Sequence, residues 1–172
     1  MNTIIFIGGI HGSGKGTVCN KIISEFNITH LTASEVLKWT EIKKQNEKVV
    51  ENIIETQEKL IYNLNKIIKK DTYYLLDGHY CLINKNKEPE KIPLEFFKKI
   101  APKKLILVVA PTTEIKIRLE NRDNKEYNLD FIEAFQNLEI SFSKEISENL
   151  NIPLFIFDSL EYNYENLFNF IQ

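Results

Sequence analysis

Five of the chain's six glycines fall within ten residues, Gly8-Gly9-Ile10-His11-Gly12-Ser13-Gly14-Lys15-Gly16-Thr17. Glycines at 9, 12 and 14 permit backbone angles that turn successive N–H groups inward, which makes an anion nest where a helix begins. Ser13 adds a hydroxyl inside the turn, and Lys15 adds a mobile point charge that can reach the β- and γ-phosphates of a nucleotide. An apolar run, Thr3 to Ile7, precedes the loop, and a helical pattern from Lys15 to Phe26 follows it. This is the strand, loop and helix order that phosphate binding requires. The rival account, a structural glycine turn capping a helix, explains neither the lysine nor the context. The common form of the motif places Ser or Thr directly after the lysine. Here Gly16 intervenes and Thr17 comes second, so Thr17 is a candidate Mg²⁺ ligand at an unusual offset. His11 reaches either a phosphate or solvent.

A second group of candidates follows the run Tyr73-Tyr74-Leu75-Leu76, which ends in Asp77-Gly78-His79. An acid at the carboxyl end of a buried strand beside a phosphate loop is placed to hold Mg²⁺, directly or through water. Its bland alternative is a turn-capping Asp. His79 is close enough to face the same cleft as a hydrogen-bond donor or proton carrier. Arg118 and Arg122 are the chain's only arginines and lie four apart on one helical face. Guanidinium groups make planar, bidentate contacts with phosphate that lysine does not reproduce. Both are therefore candidates to stabilise charge during phosphoryl transfer, with surface pairing to Glu114 and Glu126 as the alternative. The polar stretch Asp123 to Asn128, including Lys125, suits a short cover over bound phosphates, or simply a solvated loop.

These residues must be positioned by a scaffold, and five apolar runs supply one: Thr3 to Ile7, Ile28 to Leu31, Tyr73 to Leu76, Leu105 to Val109 and Leu154 to Phe157. None alternates strictly with polar residues, as expected of strands covered on both faces. Between them lie helical patterns. The clearest runs from Glu47 to Lys70 on Val50, Ile53, Ile54, Gln57, Leu60, Ile61, Leu64, Ile67 and Ile68. Others cover Ile115 to Arg122, Leu129 to Leu150 and Tyr162 to Ile171. Strands alternating with helices predict an α/β fold with right-handed crossovers and a mostly parallel sheet, whose ligands sit beyond the carboxyl ends of the strands. No linker or repeat divides residues 1–172, which read as one domain.

Composition excludes several function classes. Net charge is −2, and 20 of the 22 basic residues are lysines, so the overall bias of a protein that coats nucleic acid is absent. No apolar run approaches the roughly 20 residues that span a bilayer, and no basic region precedes the first one. Cys19 and Cys81 read as buried apolar residues in a reducing compartment. The expectation is a cytoplasmic protein, with a protein partner left open.

The loop Gly9-x-x-Gly12-Ser13-Gly14-Lys15-Gly16-Thr17 resembles the glycine-lysine-glycine-threonine phosphate loop of the nucleoside-monophosphate kinases, in particular the compact adenylate kinases of the archaeal type. That version accounts for Gly16. Thr32-Ala33-Ser34-Glu35-Val36-Leu37-Lys38 is similar to the family's acceptor-site helix, with Lys38 where arginine is usual. On its own residues this stretch is a helix start, with Thr32 or Ser34 as N-cap. Asp77-Gly78-His79 is similar to the archaeal-type Asp-x-His, and Arg118-x-x-x-Arg122 to the arginine pair bordering the lid.

The resemblance implies a P-loop NTPase fold with five parallel strands in the order 2-3-1-4-5, carrying small acceptor-site and lid insertions. It also implies transfer of the γ-phosphoryl of ATP, with Mg²⁺, to a nucleoside monophosphate, AMP being the default acceptor. Lys15 and the loop would then hold the donor, and Asp77 and Thr17 the metal. Arg118 and Arg122 would bridge the transferred group, and Ser34, Lys38 and His79 would face the acceptor. Trp39 either stacks on a base or belongs to the core. Two other readings stay open: a kinase for a small metabolite, a polynucleotide end or a protein hydroxyl, and an ATP-binding switch or slow ATPase that controls a partner.

Overall fold

A computed structural model describes residues 3–38 and 52–172. Trp39 and the first turns of the expected 47–70 helix lie outside the described residues. The chain opens with β1 (Thr3–Gly8), α1 (Lys15–Glu25), β2 (Thr29–Thr32), α2 (Ala33–Lys38), α3 (Ile53–Ile67) and β3 (Tyr73–Asp77). It continues with β4 (Cys81–Ile83), β5 (Pro89–Lys91), α4 (Leu94–Ile100), β6 (Lys104–Val109) and α5 (Thr112–Asp123). It ends with α6 (Leu129–Leu150), β7 (Leu154–Asp158) and α7 (Tyr164–Ile171).

The main sheet runs β2-β3-β1-β6-β7, all parallel, so the five long strands take the order 2-3-1-4-5 expected of a P-loop fold. The inner strands β3, β1 and β6 are buried on both faces, which explains why their apolar runs do not alternate, whereas the edge strands β2 and β7 are largely half-buried. Ile4 and Phe6 of β1 join a core with Tyr74, Leu76, Leu105 and Leu107, under α3, α4 and α6. Ile5 and Ile7 face the other way and pack with Leu75, Ile106 and Phe157 against Val18, Cys19 and Ile22 of α1 and Leu167 of α7.

Register sets the site. Ile7 pairs with Asp77, Thr32 with Asp77, and Val109 with Asp158, so the carboxyl ends of the strands finish at one edge. Gly78 and Ser159 continue this edge, their N–H groups donating to Ile7 and Val109 at 3.0 and 2.9 Å.

Two parts of the fold are not among the expected elements: the β4–β5 hairpin and α4. The hairpin strands are three residues each, joined by a polar turn in which Lys87 adopts φ 63°. The expected stripe of α3 also needs correction. Ile53, Gln57, Leu60 and Leu64 are buried, but Ile54 is 63% exposed. No helix among the described residues is long and apolar enough to cross a membrane.

Candidate active site at the carboxyl edge of the sheet

The loop between β1 and α1 has the backbone that its glycines predict. Gly9 has φ 150°, and a Cβ there would lie 2.5 Å from the carbonyl oxygen of Val108. Gly14 caps α1 at φ 94° with no side-chain cap, which leaves the first-turn N–H groups of the helix available to an anion. The Ser13 hydroxyl is buried without a hydrogen-bond partner, as fits a cradle shaped for phosphate. Gly16 differs, because nothing stands within 4 Å of a Cβ placed on it.

Lys15 forms an ion pair with Asp77, joining the loop to the end of β3. The Asp77 side chain is 12% exposed, and His30 Nε2 on β2 stands 3.6 Å from its second oxygen. Burial works to raise the Asp77 carboxyl, but His30 and Lys15 outweigh it and hold the group below its ordinary value. Cys19 sits beneath, its Sγ 3.8 Å from the same carboxylate, and burial followed by Asp77 pushes the thiol up to about 12. Thr17 faces elsewhere. It lines a pocket with Gly14, Val18, Arg118, Ser159, Tyr162 and Tyr164, and no hydrogen bond joins it to Asp77 among the described residues. The two expected metal ligands therefore stand in different surroundings.

Helix α5 separates its arginines. Arg118 donates to the Gly12 carbonyl at 3.1 Å and to Ser159 Oγ at 3.3 Å, so its guanidinium lies against the loop. Arg122, one turn on, makes a two-pronged pair with Asp123 at 2.7 Å. The pairing with Glu114 and Glu126 that sequence allows is not made by either. The polar stretch between α5 and α6 is tied down: Tyr127 bonds to Asp123 through its hydroxyl and to Glu120 through its N–H. Lys116 adds a bond to the Tyr127 carbonyl at 2.7 Å.

Beside Gly78 and His79 lies a second cavity of about 230 Å³, lined by apolar Phe6, Leu37, Leu60 and Phe96 and by polar Ser34 and Gln57. Thr32 starts α2 as a cap, its hydroxyl accepting from the Glu35 N–H at 3.2 Å, and this sets Ser34 at the cavity. Lys38 ends α2 exposed. His79 stacks beside His11 with ring centroids 4.8 Å apart. Burial first, then Lys15, drive its imidazole down to about 3. An imidazole held that low is neutral at pH 7 and can donate from one ring nitrogen or accept at the other.

Sequence reasoning missed Glu139, a fully buried acid of α6. Its Oε1 accepts from the N–H groups of Tyr80 and Cys81 at 2.9 and 3.0 Å and stands 3.9 Å from His79 Nδ1. Glu139 shapes the chain directly after Asp77-Gly78-His79. Its signal was an acid on the apolar stripe between Phe135 and Phe142. Burial raises its carboxyl to about 7 against the two N–H bonds. Because the folded value lies above the unfolded one, ionisation costs stability as pH rises from about 4.5 to about 7. Gln at 139 keeps an acceptor for both N–H groups and removes the charge. Chemical denaturation at pH 5 and pH 8 is expected to show Glu139→Gln close to the wild type at pH 5 and more stable by up to about 3 kcal/mol at pH 8. An equal difference at both pH values contradicts this.

Comparison with known proteins agrees with this geometry. The family model for an AAA domain matches residues 8–136. A UMP-CMP kinase 3 of Arabidopsis thaliana is 30% identical over 141 residues, spanning 76% of this chain and 67% of the relative. This chain belongs to the nucleoside-monophosphate kinase family. A UMP-CMP kinase 3 of Oryza sativa subsp. japonica is 28% identical, over 87% of this chain and 73% of the relative. Adenylate kinase isoenzyme 1 of Gallus gallus is 32% identical, over 67% and 61%. Among solved structures, the YorR protein of Bacillus subtilis, in complex with phosphorylated GDP, superimposes with a TM-score of 0.58 at 20% identity. It covers 98% of this chain and 93% of that one, and shows the shared fold. The nucleoside-monophosphate kinase is thus a phosphotransferase acting on nucleotides.

Proposed function

We propose that this kinase moves the γ-phosphoryl of ATP to the phosphate of AMP, and that residues 124–128 act as a short lid over the transfer. The observation that carries the reading is a pair of pockets, one reaching Gly14 and Thr17 of the phosphate loop and the other Gly78 and His79 next to Asp77, the partner of Lys15. One, bounded by Gly14, Thr17, Arg118, Tyr162 and Tyr164, adjoins the phosphate loop and offers aromatic faces to a base, which suits the donor. The other, bounded by Ser34, Gln57, Gly78 and His79, is apolar with few polar groups, which suits the acceptor base. Gln57 is 5% exposed and its Oε1 has no partner, so it suits a base that carries a donor on its edge, such as the exocyclic amino group of adenine. Cytosine shares that group, and the resemblance to UMP-CMP kinases makes CMP the second reading.

The chemistry asks the chain mostly to position and to stabilise charge. An oxygen of the acceptor phosphate attacks the γ-phosphorus in line as the bond to the β-phosphate oxygen breaks, leaving ADP and a nucleoside diphosphate. Lys15 and the loop N–H groups hold the donor phosphates. Arg118, already against Gly12, neutralises charge on the transferred group. Arg122 joins it by leaving Asp123. Ionised Asp77 is the residue that fits Mg²⁺, which when bound neutralises charge on the donor phosphates. Thr17 is better placed for the donor itself. Ser34 and His79 donate to the acceptor, and Lys38 gives its phosphate a positive charge nearby.

The test is steady-state transfer from ATP and Mg²⁺ with AMP, CMP, UMP, GMP or no acceptor. The expected result is ADP formation that depends on AMP, with CMP next. Hydrolysis that ignores every monophosphate contradicts the reading and favours a nucleotide-controlled switch.

A further inference from the structure

Beneath the phosphate loop, three different side chains converge from three elements: Cys19 of α1, His30 of β2 and Asp77 of β3. Their ligand atoms all lie within 4.8 Å of one another. The two edges that meet at Asp77 Oδ2 measure 3.8 Å to Cys19 Sγ and 3.6 Å to His30 Nε2. A tetrahedral zinc ion with ordinary bond lengths needs edges of about 3.4 to 3.6 Å. The two edges at Asp77 are within a few tenths of an ångström of this, and the edge between Cys19 and His30, at most 4.8 Å, must close by up to about 1.3 Å as an ion draws the two side chains together. His30 Nε2 is buried and has no hydrogen-bond partner.

We propose that Cys19, His30 and Asp77 form a binding site for a soft divalent cation of the zinc class. A thiol and an imidazole select zinc or cobalt over magnesium, which takes oxygen ligands, so this site is chemically distinct from the Mg²⁺ proposed at Asp77. On binding, the Cys19 S–H bond breaks, its proton leaves to solvent, and the sulfur keeps the electron pair that forms the metal bond. His30 offers the Nε2 lone pair and Asp77 a carboxylate oxygen. Water completes the fourth position, reached past the 25% of the His30 side chain that is exposed. The Lys15 ammonium on the other carboxylate oxygen opposes a cation, and the thiolate and carboxylate charges offset it. An ion held here engages the carboxylate on which Lys15 rests, so transfer falls as it binds.

The experiment uses reduced, tag-free full-length protein titrated with Co²⁺, read by the near-ultraviolet thiolate-to-cobalt band and the visible bands of four-coordinate cobalt. The expected result is one equivalent bound, at least tenfold weaker binding in His30→Ala, no thiolate band in Cys19→Ser, and an unaltered band in Cys81→Ser. A wild-type protein without the band, or a Cys19→Ser protein that keeps it, overturns the proposal. Zn²⁺ added over excess Mg²⁺ should inhibit transfer by the wild type and at least tenfold less by Cys19→Ser, and equal inhibition of both counts against the site. The cobalt readout needs no nucleotide. It therefore stands or falls separately from the choice of phosphoryl acceptor.

Discussion

Replacing Lys15 by Met is expected to lower phosphoryl transfer by about 10³-fold, the scale seen when one preorganised charge-stabilising group is removed. Lys15 is the cation that the phosphate loop presents, and it rests on Asp77. Moving from that carboxylate to the donor phosphates exchanges one charged partner for another, so little reorganisation is needed as charge builds up. A methionine fills similar volume with no charge. The fold should remain, because the aliphatic packing is kept and His30 stays beside Asp77. Steady-state assay beside far-ultraviolet circular dichroism tests both halves. Activity within tenfold of the wild type contradicts the role assigned to Lys15.

The second large effect falls on stability, and two glycines of the same loop should respond in opposite directions. At Gly9 a Cβ meets the backbone oxygen of Val108 at 2.5 Å, on strand β6 beside β1, and φ lies at 150°. Neither the strand nor the turn yields cheaply. Strain of about 1–3 kcal/mol from the backbone and a similar amount from overpacking put Gly9→Ala roughly 2–6 kcal/mol below the wild type. For a chain of this length the midpoint of thermal unfolding falls by roughly 10 °C. Gly16 lies in the first turn of α1 with open space around it, so Gly16→Ala should be neutral or stabilising by up to about 1 kcal/mol. Thermal melts of the two variants check the contrast. A Gly9→Ala protein as stable as Gly16→Ala would show that the loop does not need the glycine backbone at residue 9.

The inner strands of the main sheet were legible because burial on both faces leaves continuous apolar runs in the chain, while the edge strands β2 and β7 are largely half-buried. Their order was not in the runs themselves. It came with the resemblance, and the β2-β3-β1-β6-β7 pairing agrees with it. The β4–β5 hairpin escaped because three-residue strands carry no period and the residues that join them, Asn84 to Glu88, are all polar. Helix α4 was within reach, since Pro93 precedes Leu94, Phe96, Phe97 and Ile100 at helical spacing.

At the site, what depends on local order was readable and what depends on tertiary contact was not. The glycine loop and Asp77 each follow a strand directly, and the structure brings Lys15 and Asp77 together. Ser159 follows β7 in a similar way and receives Arg118, but it was not among the candidates, because a lone serine after an apolar run carries no motif of its own. His30 and Cys19 meet Asp77 only because α1 and β2 converge under the loop, which no spacing reveals. Arg118 and Arg122 look equivalent at four residues apart. The difference is that one reaches Gly12, while the other finds the carboxylate of its own neighbour, Asp123.

A single turnover with ATP labelled on the γ-phosphorus, with Mg²⁺, AMP and enzyme in excess over the label, separates transfer from hydrolysis. Label is expected in ADP at a rate that depends on AMP and is lost in Lys15→Met. Label released as inorganic phosphate at the same rate with and without any nucleoside monophosphate would contradict transfer.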